Sequence, residues 1–336
     1  MSRYAKAHEK PQGPGDARTT AQQVLDDEDL VGGLVGKTIL ITGGTAGLGK
    51  ESARILQKTG AKVFITGRSQ AKGAEVAKEL NAADPSLTPV EAIALDLGSF
   101  ESVRNGAAAF LGRSETLTIL LENAGVMAPP EGRTVDGFET CFGVNHLSHF
   151  LLFHRLLPAL KKGSSAEFKS RVVVLSSAAH RMMDYDPENP NFEGEYEPWN
   201  AYGHSKSCNV HFAHELDRRY SSEGIHGISV HPGVIFDTEL SRHHGGGEEL
   251  QRNVVEEVPQ RAEIVKSIPQ GAATQVWASI AKELEGKGGM YVEDVQISQP
   301  AKTDDRFNIG YAKWAYDEDK ARRLWEDSEK FVGISS

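Results

Sequence analysis

The chain has 336 residues, 39% hydrophobic and 25% charged, with a formal net charge of −10. That balance suits a globular chain with a core of its own, and it excludes a general nucleic-acid binder, which would carry a basic surplus. The two cysteines, Cys141 and Cys208, fit no zinc spacing and no disulfide framework, so no metal is expected and a reducing, cytoplasmic compartment is the default.

Residues 1–35 are polar, rich in Gly and Asp, and carry the acidic run DDED at 26–29. This composition fits neither a signal peptide nor an Arg-rich transit peptide, and it predicts an extension that is partly disordered or packed on the surface. No apolar run reaches the roughly 20 residues of a membrane span. From residue 37 onward, strand-like and helix-like stretches alternate. KTILIT (37–42) is a short apolar run before glycines, and 48–60 has helical periodicity ending in glycine. AKVFITG (61–67) is the next strand, followed by a charged helix over 69–81. VEAIALDL (90–97), TLTILLENAG (116–125), SRVVVLSS (170–177), IHGISVHPG (225–233) and GGMYV (288–292) are further strands, each separated by a helix-length stretch.

That order predicts repeated βαβ units. The fold class is α/β: a single Rossmann-like, doubly wound parallel sheet with helices on both faces. Runs such as VVVL and ILL are apolar throughout, as strands buried on both faces must be. The domain is expected over 36–300, with 301–336 as a helical tail packed on it. Two long insertions, 178–201 and 234–268, are expected as loops lining a substrate pocket, the second mobile before ligand binds. Their Met182, Met183, Tyr185, Phe192, Tyr196, Trp199 and Phe236 suggest an apolar or aromatic substrate, although such residues also serve as ordinary core.

TGGTAGLG (42–49) joins the first strand to the first helix. Gly43, Gly47 and Gly49 let the backbone turn tightly and approach a pyrophosphate, whose charge is favoured at a helix N-terminus. The spacing departs from G-x-G-x-x-G, and a tight turn alone would explain it; its place at the first βα junction adds the nucleotide reading. At the end of the second strand, NAD sites usually place a carboxylate for the ribose 2′-hydroxyl. Here stand Thr66, Gly67, Arg68 and Ser69. A guanidinium suits a 2′-phosphate by shape and charge, so NADP(H) is the predicted cofactor. Asp96, after the third strand, either hydrogen-bonds an adenine amino group or caps the next helix. In YGHSK (202–206), Tyr202 and Lys206 share a helix face. The pair suits a phenol tuned by an ammonium, and equally a solvated surface pair.

In order along roughly 37 to 295, seven short motifs resemble the short-chain dehydrogenase/reductase family: TGGTAGLG, Asp96-Leu97, Asn123-Ala124-Gly125, VNHLSHFLL (144–152), VVVLSS (172–177), YGHSK and HPG (231–233). The flavour of VNHLSHFLL, of the glycine turn followed by GKE and of the WEDSEKFVG tail is similar to a retinol-dehydrogenase-like and WW-domain-oxidoreductase-like branch, in particular its fungal relatives. The resemblance implies an NADP(H)-dependent oxidoreductase that interconverts a ketone or aldehyde and an alcohol. Tyr202 would be the general acid and base, with Lys206 lowering its pKa toward working pH and holding the nicotinamide ribose. Ser177 would polarise the substrate oxygen, with Ser176 the competing choice, and Asn145 would anchor a water of the proton relay. Cofactor contacts are implied for Gly43, Thr45, Gly47, Leu48, Gly49, Arg68, Asp96, Leu97, Asn123, Ala124, Gly125, Tyr202, Lys206, Pro232, Gly233, Val234 and Thr238. A homodimer or homotetramer is also common in such a family.

Three departures bear on this expectation. Glu122 replaces the first asparagine of the usual Asn-Asn-Ala-Gly. Thr238 lies one residue later than usual after Pro232, with Asp237 in the expected place. Ser177 and Tyr202 are 25 apart, about twice the common separation, which the 178–201 insertion accounts for. The same residues would also serve an isomerase, epimerase or dehydratase using Tyr202 as base; a redox-inactive nucleotide-binding scaffold would more often have lost Tyr202 or Lys206.

Overall fold

The computed structural model of the chain describes residues 2–305 and 307–334. Eight strands form one sheet: β1 (Thr38–Ile41), β2 (Lys62–Gly67), β3 (Glu91–Ala94), β4 (Ile119–Glu122), β5 (Ser170–Leu175), β6 (Ile225–His231), β7 (Met290–Glu293) and β8 (Gln296–Ile297). Their order is β3-β2-β1-β4-β5-β6-β7-β8. All pairs are parallel except β7 with β8. The central strands are buried along their whole length, so both faces must be apolar, and the register stacks Ile39 between Val63 and Ile119. β8 is a two-residue hairpin return that the sequence reading missed, because so short a strand has no periodicity.

The helices in chain order are α1 (Ala5–His8), α2 (Ala21–Asp27), α3 (Gly47–Gln57), α4 (Gln70–Ala83), α5 (Phe100–Leu111), α6 (Ser148–Gly163), α7 (Pro198–Tyr220), α8 (Gly247–Glu257), α9 (Arg261–Ile264), α10 (Ile268–Ile280) and α11 (Glu318–Val332). They cover both faces. One core gathers Val24 and Leu25 of α2, Leu56 of α3, Val76 and Leu80 of α4 and Trp277 of α10 against β1, β2 and β4. The opposite core gathers Phe110 of α5, Phe150 and Phe153 of α6, Phe212 of α7 and Trp325 of α11. Alternation along β4 explains the division: Ile119 and Leu121 face the first core and Leu120 the second.

Residues 2–35 are packed rather than loose. Thr20 caps α2 by accepting from the Gln23 N–H at 3.2 Å, and α2 lies against α3 and α10. Arg18, 4% exposed, donates to the carbonyls of Gly13, Glu263, Ile264 and Val265 at 2.6–3.2 Å. The 234–268 insertion, expected as an irregular loop, holds a 3₁₀ turn at Glu239–His244, then α8 and α9. Leu250 and Val254, one helical turn apart on the mostly polar α8, line the cavity and give the helix an inward face. The glycines before α8 hide that short pattern in the sequence. The 178–201 insertion is tied to α11, where Lys320 pairs with Asp184 at 2.5 Å and the Tyr185 hydroxyl donates to Asp327 at 3.1 Å.

Candidate active site

The strand order reverses between β1 and β4, and parallel sheets open a crevice at such a point. One cavity of about 750 Å³ lies there, walled by residues that follow β1, β2, β3, β4, β5 and β6. Thr45, Gly47 and Leu48 line it beside Gly43, whose φ is +66°. Gly49 is buried behind the turn and does not line the cavity; a Cβ there would lie 2.3 Å from the Gly43 carbonyl oxygen. Glycine is thus required for the turn to close on itself.

Asn123 locks that turn, its Nδ2 donating to the Thr42 carbonyl at 2.9 Å. The Ala124 N–H donates to Thr42 Oγ1 at 3.0 Å, and Thr42 Oγ1 meets His149 Nε2 at 2.9 Å. His149 Nδ1 reaches the Asn145 carbonyl at 3.0 Å. A carbonyl can only accept, so Nδ1 carries the proton and Nε2 accepts from Thr42. Burial pushes His149 down to about 4 and keeps the ring neutral. The sequence reading missed His149; its position four residues after Asn145, on one helical face, was the available signal.

Arg68, Asp96, Leu97, Asn123, Ala124 and Gly125 all line the cavity. Arg68 is exposed at the end of β2 and has no hydrogen-bond or ion-pair partner among the described residues. Asp96 turns back on itself, its Oδ1 accepting from the Gly98 N–H at 2.9 Å. The cap of α5 is Ser99, which accepts from the Ser102 N–H at 3.3 Å, so the capping alternative for Asp96 falls away.

Tyr202 and Lys206 lie on α7, which starts at Pro198 with the Glu197 carboxylate accepting from the N–H groups of Trp199 and Asn200 at 3.1 and 2.7 Å. Tyr202 is 4% and Lys206 5% exposed, which rules out a solvated surface pair. Both line the cavity with Ser176 and Ser177. The serines divide their work. Ser176 Oγ donates to the Lys206 carbonyl at 2.8 Å, while Ser177 Oγ lies beside the Tyr202 phenol and accepts from the Ala179 N–H at 3.1 Å.

Two expectations change here. Lys206 was expected to draw the Tyr202 pKa down. Burial pushes the phenol up, and it is the Ser177 hydroxyl that pulls the other way. Lys206 instead donates to the Leu175 carbonyl at 2.9 Å, and burial pushes its ammonium down to about 8. Asn145 comes beside Lys206 across Gly125 but does not line the cavity. Its amide is committed to the Val126 N–H and carbonyl at 2.8 and 2.9 Å and to Ser205 Oγ at 3.0 Å.

Pro232, Gly233, Val234 and Thr238 line the cavity; Asp237 points away and is exposed. Thr238 packs toward the glycine turn, its Cγ2 3.3 Å from where a Gly47 Cβ would lie. Of the seven apolar residues assigned to the pocket from sequence, only Trp199 and Phe236 line it. Tyr185 and Phe192 are core, 2% and 5% exposed, and Tyr196 donates to the Pro129 carbonyl at 2.7 Å. The apolar surround of Tyr202 takes in two of the seven, Met182 and Trp199, together with Val126, Met127, Ala179, Leu240 and Leu250. Glu122 is fully buried at the end of β4, and neither carboxyl oxygen has a partner among the described residues. With no compensating charge, burial pushes its pKa well up and favours the neutral acid.

A doubly wound sheet with a glycine turn at its first βα junction, opening on one cavity at the switch point, defines a dinucleotide-binding α/β protein. The profile of the short chain dehydrogenase family matches residues 37–248. The chain is 49% identical to oxidoreductase calI of Penicillium decumbens over 342 residues, covering all of this chain and 99% of the relative. It is 38% identical to retinol dehydrogenase 12 of Mus musculus, over 89% of this chain and 87% of that one. Among solved structures, an uncharacterised protein of Mycobacterium paratuberculosis superposes with a TM-score of 0.67 at 30% identity, over 89% of this chain and 94% of that one. The RhlG/NADP active-site complex of Pseudomonas aeruginosa superposes with a TM-score of 0.63 at 28% identity, over 79% and 96%. The chain belongs to the short-chain dehydrogenase/reductase family, oxidoreductases that use NAD(H) or NADP(H) on small molecules. Among the described residues no helix is long and apolar enough to cross a membrane.

Proposed function

We propose that the protein is an NADP(H)-dependent carbonyl reductase or alcohol dehydrogenase with Tyr202 as general acid and base. The observation that carries this reading is the convergence on one cavity of the buried Tyr202–Ser177–Lys206 group and the glycine turn with Arg68. The lining suits a dinucleotide: the glycine turn at the start of α3 fits a pyrophosphate and the Arg68 guanidinium a 2′-phosphate, and glycine at 43 lets the turn pack against Ala124, whose Cα a Cβ would approach to 2.9 Å. The solved relative at 28% identity is described with NADP in its active site.

A bound nicotinamide cofactor supplies or accepts the hydride. In the reducing direction the protein must hold the carbonyl and deliver a proton to its oxygen. Tyr202, kept as the neutral phenol by burial, is the donor, and Ser177 hydrogen-bonds the same oxygen as charge develops. The Lys206 ammonium lies close enough to stabilise the phenolate that remains and to hold ribose hydroxyls. Asn145 acts by holding the backbone of Val126, next to Gly125, which lies beside Lys206. The apolar surround of Tyr202 suits a neutral apolar or aromatic substrate and excludes water from the reacting atoms.

The test is consumption of NADPH against a panel of ketones, quinones and aldehydes. One NADPH oxidised per alcohol formed is the expected result. Product formed with no net NADPH consumed would instead establish an isomerase, epimerase or dehydratase.

A further inference from the structure

Arg242 has no place in the family motifs, yet it lines the same cavity as Arg68. It sits on the 3₁₀ turn Glu239–His244, in which residues three apart eclipse. Glu239 and Arg242 therefore share a face, and that face meets the start of α4, where Glu239 pairs with Lys72 at 2.8 Å. The Arg242 guanidinium donates to the Glu239 carbonyl at 3.0 Å, a contact that leaves most of its donors for other partners. The cluster thus sets three cations, Arg68, Lys72 and Arg242, against one carboxylate already taken by Lys72. Partial burial, and after it the like charge of Arg68, disfavour the charged form of Arg242. A phosphate dianion between two guanidiniums would relieve that repulsion with charge-assisted, planar hydrogen bonds.

The same turn reaches the other end of the cavity. His244 stacks on Trp199, with ring centroids 5.0 Å apart at 24°, and Trp199 packs edge-on against Tyr202 at 6.2 Å. Leu240 and, from α8, Leu250 pack on the apolar cluster around Tyr202. One short element thus carries a cation at the phosphate end and the wall of the substrate end.

We propose that Arg242 joins Arg68 in gripping the 2′-phosphate of the cofactor, and that this grip draws residues 238–257 onto the site, so that the phosphate and the substrate wall are coupled. The proposal rests on the NADP(H) reading above and goes beyond it: the 2′-phosphate sets lid position as well as affinity. An NADH-loaded enzyme would carry the same nicotinamide beneath a looser wall.

The test uses the full chain and two adenosine probes, adenosine 2′,5′-bisphosphate and 5′-AMP. Affinities are measured by calorimetry and protection of 238–257 by hydrogen exchange. Wild type should prefer the bisphosphate, which should protect the segment while AMP does not. Arg242→Ala should weaken bisphosphate binding roughly tenfold, the worth of a charge-assisted hydrogen bond. It should also abolish the protection and leave AMP affinity unchanged, which doubles as the folding control. Arg242→Lys should recover part of both effects. Wild-type bisphosphate affinity in Arg242→Ala, with the preference lost only in Arg68→Ala, would overturn the grip while sparing the NADP(H) reading. Weakened binding with protection intact would overturn the coupling. A wild type that binds both probes equally would bring down the NADP(H) reading itself, and this proposal with it.

Discussion

The Lys206 ammonium lies 5.6 Å from the centre of the Tyr202 ring and is anchored to the Leu175 carbonyl at 2.9 Å, with both side chains buried. The two titrate in different ranges. Burial pushes the phenol up, so it keeps its proton through neutral pH, and pushes the ammonium down to about 8. As pH rises through about 8, Lys206 loses its charge and with it the stabilisation of the phenolate left after proton transfer. Carbonyl reduction should therefore be flat below pH 8 and fall above it. Lys206→Met should be slower at every pH, bind cofactor more weakly and lack that step. Turnover profiles between pH 6 and 10 check this, and a wild-type rate constant across pH 8 would contradict it.

Tyr202→Phe removes one oxygen from a residue whose ring packs with Met127, Cys141 and Ala179. Packing should survive and cofactor should still bind, because the glycine turn and Arg68 are untouched. Turnover should drop by roughly 10² to 10⁴, the worth of a positioned acid or base. Near-wild-type turnover with an unchanged melting profile would remove Tyr202 from the chemistry.

Arg18 ties the N-terminal residues to the stem of the 234–268 segment. Its guanidinium serves four carbonyls and pairs with Asp16 at 2.8 Å. Just beyond, Lys266 Nζ pairs with Asp294 at 2.5 Å and donates to the Pro232 carbonyl at 3.3 Å. Arg18→Ala takes its donors from all four carbonyls, of which those of Glu263 and Gly13 keep a backbone N–H, and leaves Asp16 without its cation. The expected loss of stability is roughly 3–5 kcal/mol, read from denaturant unfolding, with faster hydrogen exchange at 263–266 in the native state. A loss below about 0.5 kcal/mol, the level of a surface substitution, would show that the clasp is unimportant.

Glu122 gives a stability signature that depends on pH. Its folded pKa is raised well above 4.5, so the stability it contributes is full below pH 4.5 and declines as pH rises toward the folded value. Within that window each pH unit costs about 1.4 kcal/mol. Glu122→Gln stays neutral throughout, so it should match wild type near pH 4.5 and be more stable at pH 7. Denaturant midpoints at the two pH values test this. A variant no more stable at pH 7 than at pH 4.5, relative to wild type, would mean that Glu122 is not buried as an isolated acid.

The sequence by itself determined the βαβ order, the parallel sheet, the phosphate turn and the Tyr202–Lys206 pair, because each is written in short-range spacing: period 2 or 3.6, a glycine at a turn, residues four apart. Other features depend on contacts between distant segments, and only the tertiary structure decided them. Ser177 rather than Ser176 faces Tyr202 because the Lys206 carbonyl, thirty residues on, occupies Ser176. Asn145 serves Val126 because the π-helical turn Phe142–Leu147 carries it against that strand end. Most of the aromatic residues of 178–201 went to the core or the surface, since α11 and the Pro129 loop supply partners that no local pattern announces. The spacing that puts Tyr202 and Lys206 on one helix face was legible locally. The raised pKa values of Tyr202 and Glu122 and the like charge that Arg68 sets against Arg242 were not, because burial and long-range charge are properties of the folded chain.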